Sequence, residues 1–391
     1  MNSLIPRSFC IFCTLFFVII FTPAIYAVDG CSSASFKVAD NINLEAGVWG
    51  MAVADFNNDG HLDIAVSPPK VLGELQAPSS VVGVPQSVAV SKDESFALVT
   101  SAMKVDPADP KKTTPDDRLS VIDLKASPPI VTATLQAGPG VTGVSINPAG
   151  TLAITANRNE GTLSLFTISG KTLTPAGKID FGNKNSGPSH VAFLPDGKSA
   201  LVTRDGDHRV SILSIDGTKV EDTKKYMVGG FRPYSLVVSP KGDVAVFGNQ
   251  GGGQGDSDQI NVVDLKTNPP RVVDAISVGQ TPEGVSMSPD GSHVAVILHN
   301  GATRPKNHPA YIDHGLMRIF KVDGTKLTQV TATKIGTWAQ GSVWSTDGKT
   351  IVVQATHEKE LQVFSFDGKE AKLTGSIKTN GGGVGMRTSM Q

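Results

Sequence analysis

Cysteine is nearly absent from this 391-residue chain, occurring three times, at positions 10, 13 and 31. The first two lie in an apolar run near the N-terminus, and with that run removed Cys31 has no partner for an internal disulfide. The sequence also lacks a haem-attachment motif and a cysteine pair for a protein-derived cofactor, which places electron transfer last among functional classes. Long apolar stretches are scarce. The run from Phe9 to Phe21 falls short of the ~20 residues a membrane span needs, and no later segment approaches it, so no membrane span is expected. An excess of one charge is missing as well, with 35 Lys and Arg against 36 Asp and Glu and a net charge of −1 at pH 7. No basic stripe offers a phosphate-binding footprint, which excludes nucleic acid as a partner.

Arg7 is the only charge ahead of the apolar run, and Pro23 with Ala24-Ile25-Tyr26-Ala27 follows it. A charged start, an apolar stretch and a small-residue exit describe a secretory signal over residues 1–27, so the protein is expected to be periplasmic or secreted. A lipid tether at Cys31 is conceivable, but Asp29 sits awkwardly before the small residue such a signal requires, and cleavage after Ala27 ranks ahead of it. Residues 28–391 then form one domain.

What is abundant is glycine, 41 residues, together with 24 prolines, placed so that a pattern recurs. A small residue opens a short alternating strand, a Pro/Asp/Gly turn follows, and a second apolar strand completes the unit. GPSHVAFLPDGKSALVT from Gly187, RPYSLVVSPKGDVAVFG from Arg232 and TPEGVSMSPDGSHVAVI from Thr281 show it best. The opening small residues are Gly50, Ser87, Gly143, His190, Ser235, Gly284 and Gly341, a repeat of ~48 residues that matches a four-stranded propeller blade. The expected fold is all-β, a seven-bladed β-propeller of four-stranded blades. GGVGMRTSM from Gly382 resembles one more opening strand and leaves an eight-bladed or irregularly closed ring open.

These copies resemble the YVTN-repeat and lactonase-like seven-bladed propellers over roughly Val48 to Thr379. GPSHVAFLPDGKSALVT is similar to the corresponding blade of phosphogluconolactonase-type and muconate-lactonising propellers. That resemblance implies that a histidine in the opening strand and an acidic residue in a later blade approach the substrate. The matching positions are His190 and Glu283. Arg204-Asp205 departs from the family, which usually places Asn-Glu after the second strand. On this reading His190 serves as general base, Glu283 orients it or shares the proton, and Arg204 or Arg232 stabilises the oxyanion of an opening lactone.

Blade topology adds a face to these residues. The loop leading into the first strand and the loop leaving the second share one end, and three long insertions, 103–117, 249–259 and 299–314, all follow second strands. They are expected to wall a ligand site lined by Trp49, Arg232, Tyr234, Asn249, His299, Trp338 and Gln340. His299, His308, Asp313 and His314 share one insertion but match no compact metal-ligand spacing, so a polar loop is expected there.

A separate motif points to calcium. Asp55, Asn57, Asp59 and Asp63 occupy positions 1, 3, 5 and 9 of a loop with Gly60 at position 6, a spacing that wraps oxygens around a hard cation. Position 12 is Val66, so this is no EF-hand; the segment resembles the loop of FG-GAP and VCBS repeats, and a structural Ca2+ is expected. An Asx-rich turn without an ion explains the same residues. Two functions are carried forward. One is an exported lactonase-like hydrolase that takes a small cyclic ester or sugar-derived ligand. The other is a non-catalytic secreted propeller that binds a ligand or a protein partner through its long-loop face.

Overall fold

Each copy of the repeat folds back on itself at its Pro/Asp/Gly turn. In LPDGKS, Leu194 N–H donates to the Ser199 carbonyl at 2.9 Å and Gly197 N–H to the Leu194 carbonyl at 2.9 Å. Gly197 and the equivalent Gly242 both adopt φ 67°, a left-handed geometry that costs glycine nothing. The computed structural model describes residues 50–54, 63–67, 84–106, 108–126, 129–379 and 385–388.

The strands run β1 (Gly50–Ala54) and β2 (Asp63–Ser67), then β3 to β6 (Val84–Val90, Phe96–Asp106, Asp109–Asp123, Ile130–Gln136). Next come β7 to β10 (Val141–Ile146, Leu152–Asn157, Thr162–Ser169, Thr172–Asp180) and β11 to β14 (Pro188–Phe193, Ser199–Arg204, Arg209–Asp216, Lys219–Met227). They continue with β15 to β18 (Pro233–Val238, Val244–Asn249, Asp258–Asp264, Arg271–Gly279) and β19 to β22 (Pro282–Met287, His293–Leu298, Gly315–Asp323, Lys326–Ile335). The last are β23 to β26 (Ala339–Trp344, Thr350–Ala355, Glu360–Phe366, Ala371–Lys378) and β27 (Gly385–Arg387). Each run of four from β3 to β26 is one antiparallel sheet in sequence order, and a three-stranded sheet has the order β2-β1-β27.

The sheets stand around an axis as an all-β propeller. First strands contact one another in turn, β3 with β7, then β11, β15, β19 and β23, and β27 bridges from β23 back to β3. The core lies between sheets, because a twisted sheet cannot bury both faces alone. One cluster joins Leu152, Ile154 and Leu165 of one sheet to Val191, Phe193 and Val202 of the next. Another packs Trp344, Ile351 and Phe364 on Ala295, Ile297 and Ile319. Threonines of second strands bolt neighbouring sheets together: Thr203 Oγ1 donates to the Tyr234 carbonyl at 2.6 Å, and Thr100 Oγ1 to the Thr142 carbonyl. Small residues are obligatory where sheets converge. A Cβ on Gly143 would stand 2.4 Å from the Ser189 carbonyl, and one on Gly284 2.6 Å from that of Gln340.

Two expectations need correction. Gly50 was counted with the other residues that open a first strand, but β1 does not take the place of the other first strands beside the axis: β27 lies there and pairs parallel to it through Gly50↔Gly385 and Ala52↔Arg387. Within GGVGMRTSM, residues 385–387 therefore join the sheet of β1 and β2 rather than starting a further one. Second, 103–117 is no irregular loop. The β4–β5 ladder continues through Met103↔Pro115 and Val105↔Thr113, so the insertion projects as an extended hairpin. No helix of the described residues is long and apolar enough to cross a membrane. Residues 1–27 lie outside the described residues.

Candidate functional site

The residue three before five of the seven opening small residues sets the shape of the channel mouth. Gly140, Gly187, Arg232, Thr281 and Trp338 occupy it, with φ of 68°, 64°, 60°, 54° and 50°. At four of them the carbonyl also receives a backbone N–H from the residue after the second strand: Arg158 to Gly140, Asp205 to Gly187, Gln250 to Arg232 and His299 to Thr281. These bonds tie lead-in and exit loops together, so both present side chains at one rim. Glycine takes this geometry freely, whereas Arg232, Thr281 and Trp338 hold it at a cost of order 1–3 kcal/mol each.

The rim carries an arc of polar side chains across five successive sheets. Arg158 grips Asp205 with two guanidinium nitrogens, and Arg232 Nη2 lies 3.6 Å from Asp205 Oδ2. Arg232 Nη2 also donates to Gln250 Oε1 at 2.9 Å, and Gln250 Nε2 donates to Glu283 Oε2 at 2.7 Å. His299 Nε2 stands 4.0 Å from Glu283 Oε2 and 3.2 Å from Gln340 Nε2. Burial pushes His299 below the ordinary imidazole range, Glu283 pulls it back up, and His357 pushes it down. Burial also works against the Arg158 cation, but Asp205 outweighs it and holds the guanidinium above its usual value.

Below the rim lies a cavity of about 40 Å³ in the channel, to which every first strand from β3 to β23 and β27 contribute. A water needs roughly 10–15 Å³ on this measure, so a few waters or one small functional group fit. His190, Tyr234, Glu283 and Gln340 all face it. The His190 and Tyr234 rings meet edge to face at 5.5 Å. His190 is pushed down to about 3, chiefly by burial and further by the Arg387 charge, and only a bond to the Tyr234 backbone opposes this. Its Nδ1 is buried without a partner in the structure.

The sequence-derived residues thus divide. His190, Glu283, Tyr234 and Gln340 share the cavity, with Arg232 and His299 on the rim arc above it. Arg204 does not join them. Its Nε donates to Ser186 Oγ at 2.7 Å and its Nη1 to Ser211 Oγ at 3.0 Å, Asp207 pairs with Nη2, and its guanidinium lies 4.0 Å over the Phe181 ring. Those contacts point it between strands of its own sheet, where it is 6% exposed and anchors a loop. Asn249 is spent in the same way: its amide donates to the Gln259 carbonyl and to Asn261 Oδ1 beneath Gly230. Trp338 packs on His357 at 5.1 Å instead of lining the cavity. Trp49, Asp55, Asn57 and Asp59 lie outside the described residues. Asp63 opens β2, with its backbone paired to Ala54.

Arg158, Gln250 and Arg387 were not singled out from the sequence, and Asp205 only as part of a departure from the family pattern. Gln250 and Arg158 each follow a second strand, the position that already flags His299. Arg387 sits in the copy beginning at Gly382, which an inner-strand assignment brings to the axis. The 299–314 insertion clasps the neighbouring loop through Arg304. Arg304 bonds Gln280 Oε1 at 3.0 Å and the Gly253 carbonyl at 2.8 Å, and no metal-holding group occurs among the described residues.

The family profile described as lactonase, 7-bladed beta-propeller, matches residues 66–304. No curated protein sequence matches significantly. Among solved structures, a 6-phosphogluconolactonase candidate from Bacteroides fragilis aligns at TM-score 0.64 and 18% identity, over 86% of this chain and 95% of that one. A periplasmic gluconolactonase from Pseudomonas aeruginosa aligns at TM-score 0.61 and 14% identity, over 86% and 96%. Hydrazine synthase from Kuenenia stuttgartiensis aligns at TM-score 0.62 and 15% identity, over 81% and 93%. At such identities these structures speak to the fold alone.

Proposed function

The chain belongs to the lactonase seven-bladed β-propeller family, and on that footing we propose that it is an exported hydrolase that opens a small cyclic ester at the channel mouth. The sheet of β1, β2 and β27 then counts as the seventh blade. One observation carries the chemistry: a carboxylate and a neutral imidazole, Glu283 and His299, stand 4.0 Å apart where the rim meets the cavity.

His190 is a poor general base at neutral pH, since its basicity is depressed to about 3. The Glu283–His299 pair serves instead. Water attacks the acyl carbon while the pair takes its proton, and the carbonyl oxygen becomes an oxyanion. Arg232, held by Gln250 and facing Asp205, supplies positive charge beside it. The ring C–O bond then breaks and the departing alkoxide receives the proton, so lactone and water become a hydroxy acid. His190 and Tyr234 shape the floor. Holding Arg232 in a strained backbone geometry favours a functional use of its side chain. A calcium ion on Asp55, Asn57, Asp59 and Asp63 would serve structure and takes no part in these steps.

The test is hydrolysis of a panel of aldonolactones followed by pH-stat, with Glu283→Gln compared at matched melting temperature. Loss of 10²–10⁴-fold is expected for the variant. Undiminished turnover in Glu283→Gln removes the base assignment. Absence of turnover across the panel, with stabilisation by a ligand, favours the non-catalytic binder. Export is tested by the mature N-terminus, expected at Val28.

A further inference from the structure

Arg387 is the third residue of β27, and that strand carries it to the wall of the channel cavity. Its Nη1 donates to the Met386 carbonyl at 2.8 Å, which uses one of five guanidinium N–H groups. No carboxylate of the described residues pairs with it, and burial alone lowers its basicity. Glu283, the carboxylate that lines the same cavity, already accepts from Gln250. A largely enclosed cation with no counter-ion among the described residues is costly, so this geometry favours an anion.

His190 adds a second requirement. It is bonded to the Tyr234 backbone, which has a carbonyl to offer at that side, and its Nδ1 is buried and unpartnered. A neutral imidazole that donates through one nitrogen has a bare lone pair on the other. Nδ1 therefore calls for a donor, while Arg387 calls for an anion. We propose that Arg387 and His190 form a site for a small hydroxycarboxylate, with the carboxylate on the Arg387 guanidinium and the hydroxyl donating to His190 Nδ1. The cavity of about 40 Å³ suits a glycolate-sized group, either a free small hydroxy acid or the hydroxy-acid end of a longer ligand that extends through the mouth.

Binding is read without turnover, so this site stands or falls separately from hydrolysis. Calorimetric titration of the full chain at constant ionic strength with glycolate, acetate and gluconate tests it. Glycolate is expected to bind about tenfold tighter than acetate, the worth of one hydrogen bond to a buried acceptor. Arg387→Gln is expected to lose glycolate binding, and Arg387→Lys, which keeps the charge but not the planar fork, to weaken it at least tenfold. Gluconate binding as tightly as glycolate assigns the end of a longer ligand; glycolate alone assigns a free small acid. Equal affinity for acetate and glycolate, unchanged binding in Arg387→Gln, or no binding by the wild type overturns the site. If both variants fail to fold, amide exchange in the wild type decides. Glycolate should slow exchange across 385–387, and unaltered exchange there counts against the site.

Discussion

Glu283 Oε2 and His299 Nε2 stand 4.0 Å apart, and the same Nε2 lies 3.2 Å from the Gln340 amide nitrogen. An amide NH2 can only donate, so His299 accepts through Nε2 and carries its proton on Nδ1.

That arrangement fixes how His299 titrates. Burial is the largest influence and lowers it, Glu283 raises it, and His357 lowers it. Glu283→Gln should therefore shift the His299 midpoint further down, and His357→Gln should shift it up. Histidine ring proton resonances followed against pH give both midpoints. A rise in Glu283→Gln would contradict the assigned proximity.

His190 makes a prediction about acid. Its folded-state value is about 3 against an ordinary 6.5, so the unfolded chain takes up a proton that the folded chain refuses. Stability is present in full above pH 6.5 and is lost as pH falls from there toward 3. His299 and His293 are shifted in the same direction, both chiefly by burial. Urea midpoints at several pH values should fall less steeply in His190→Gln than in the wild type. Parallel curves would show that His190 is not buried neutral.

Backbone geometry at the rim separates stability from function. Thr281 is β-branched at φ 54°, where a side chain is strained, and its backbone contacts need no side chain. Thr281→Gly is expected to stabilise by about 1 kcal/mol, net of the added chain entropy. Arg232→Gly relieves the same kind of strain but loses Gln250 and Asp205 as partners. It should leave the melting temperature nearly unchanged while abolishing lactone turnover. A turnover-competent Arg232→Gly would show the strained arginine to be incidental.

Calcium can be examined directly. If Asp55, Asn57, Asp59 and Asp63 hold an ion, chelation removes a ligand of the native state. The stabilisation lost is about 2.7 kcal/mol for an ion at a hundredfold excess over Kd. Thermal melting in excess chelator should shift down and recover on adding Ca2+. Identical curves would eliminate the ion.

The sheet-forming copies were legible because each carries its own turn chemistry and alternation, as in LPDGKS and SPKGDV. The shared cavity of His190 and Glu283 was legible because both occupy first strands. Arg204 misled because its position at the end of β12 says which rim it reaches but not which way its guanidinium turns; Ser186, Ser211, Phe181 and Asp207 decide that. The hairpin at 103–117 was hidden by its Lys, Pro and Asp content, which reads as loop until the β4–β5 register is known. Arg387 was missed because the copy from Gly382 reads as the opening strand of a further sheet, and nothing in it marks the parallel pairing of β27 with β1.

The β1–β27 seam has a kinetic consequence. Pairing Gly50 with Gly385 joins opposite ends of the described chain, whereas every other sheet is assembled from consecutive strands. Contacts of such long sequence separation form late and slowly, because the chain entropy of closure must be overcome before the contacts return any stability. Until then β1 and β23 each present a free face, and a β27 strand from another copy fits the gap as well as the chain's own. Refolding at high concentration therefore invites strand exchange between molecules, and dilution favours the closed monomeric ring.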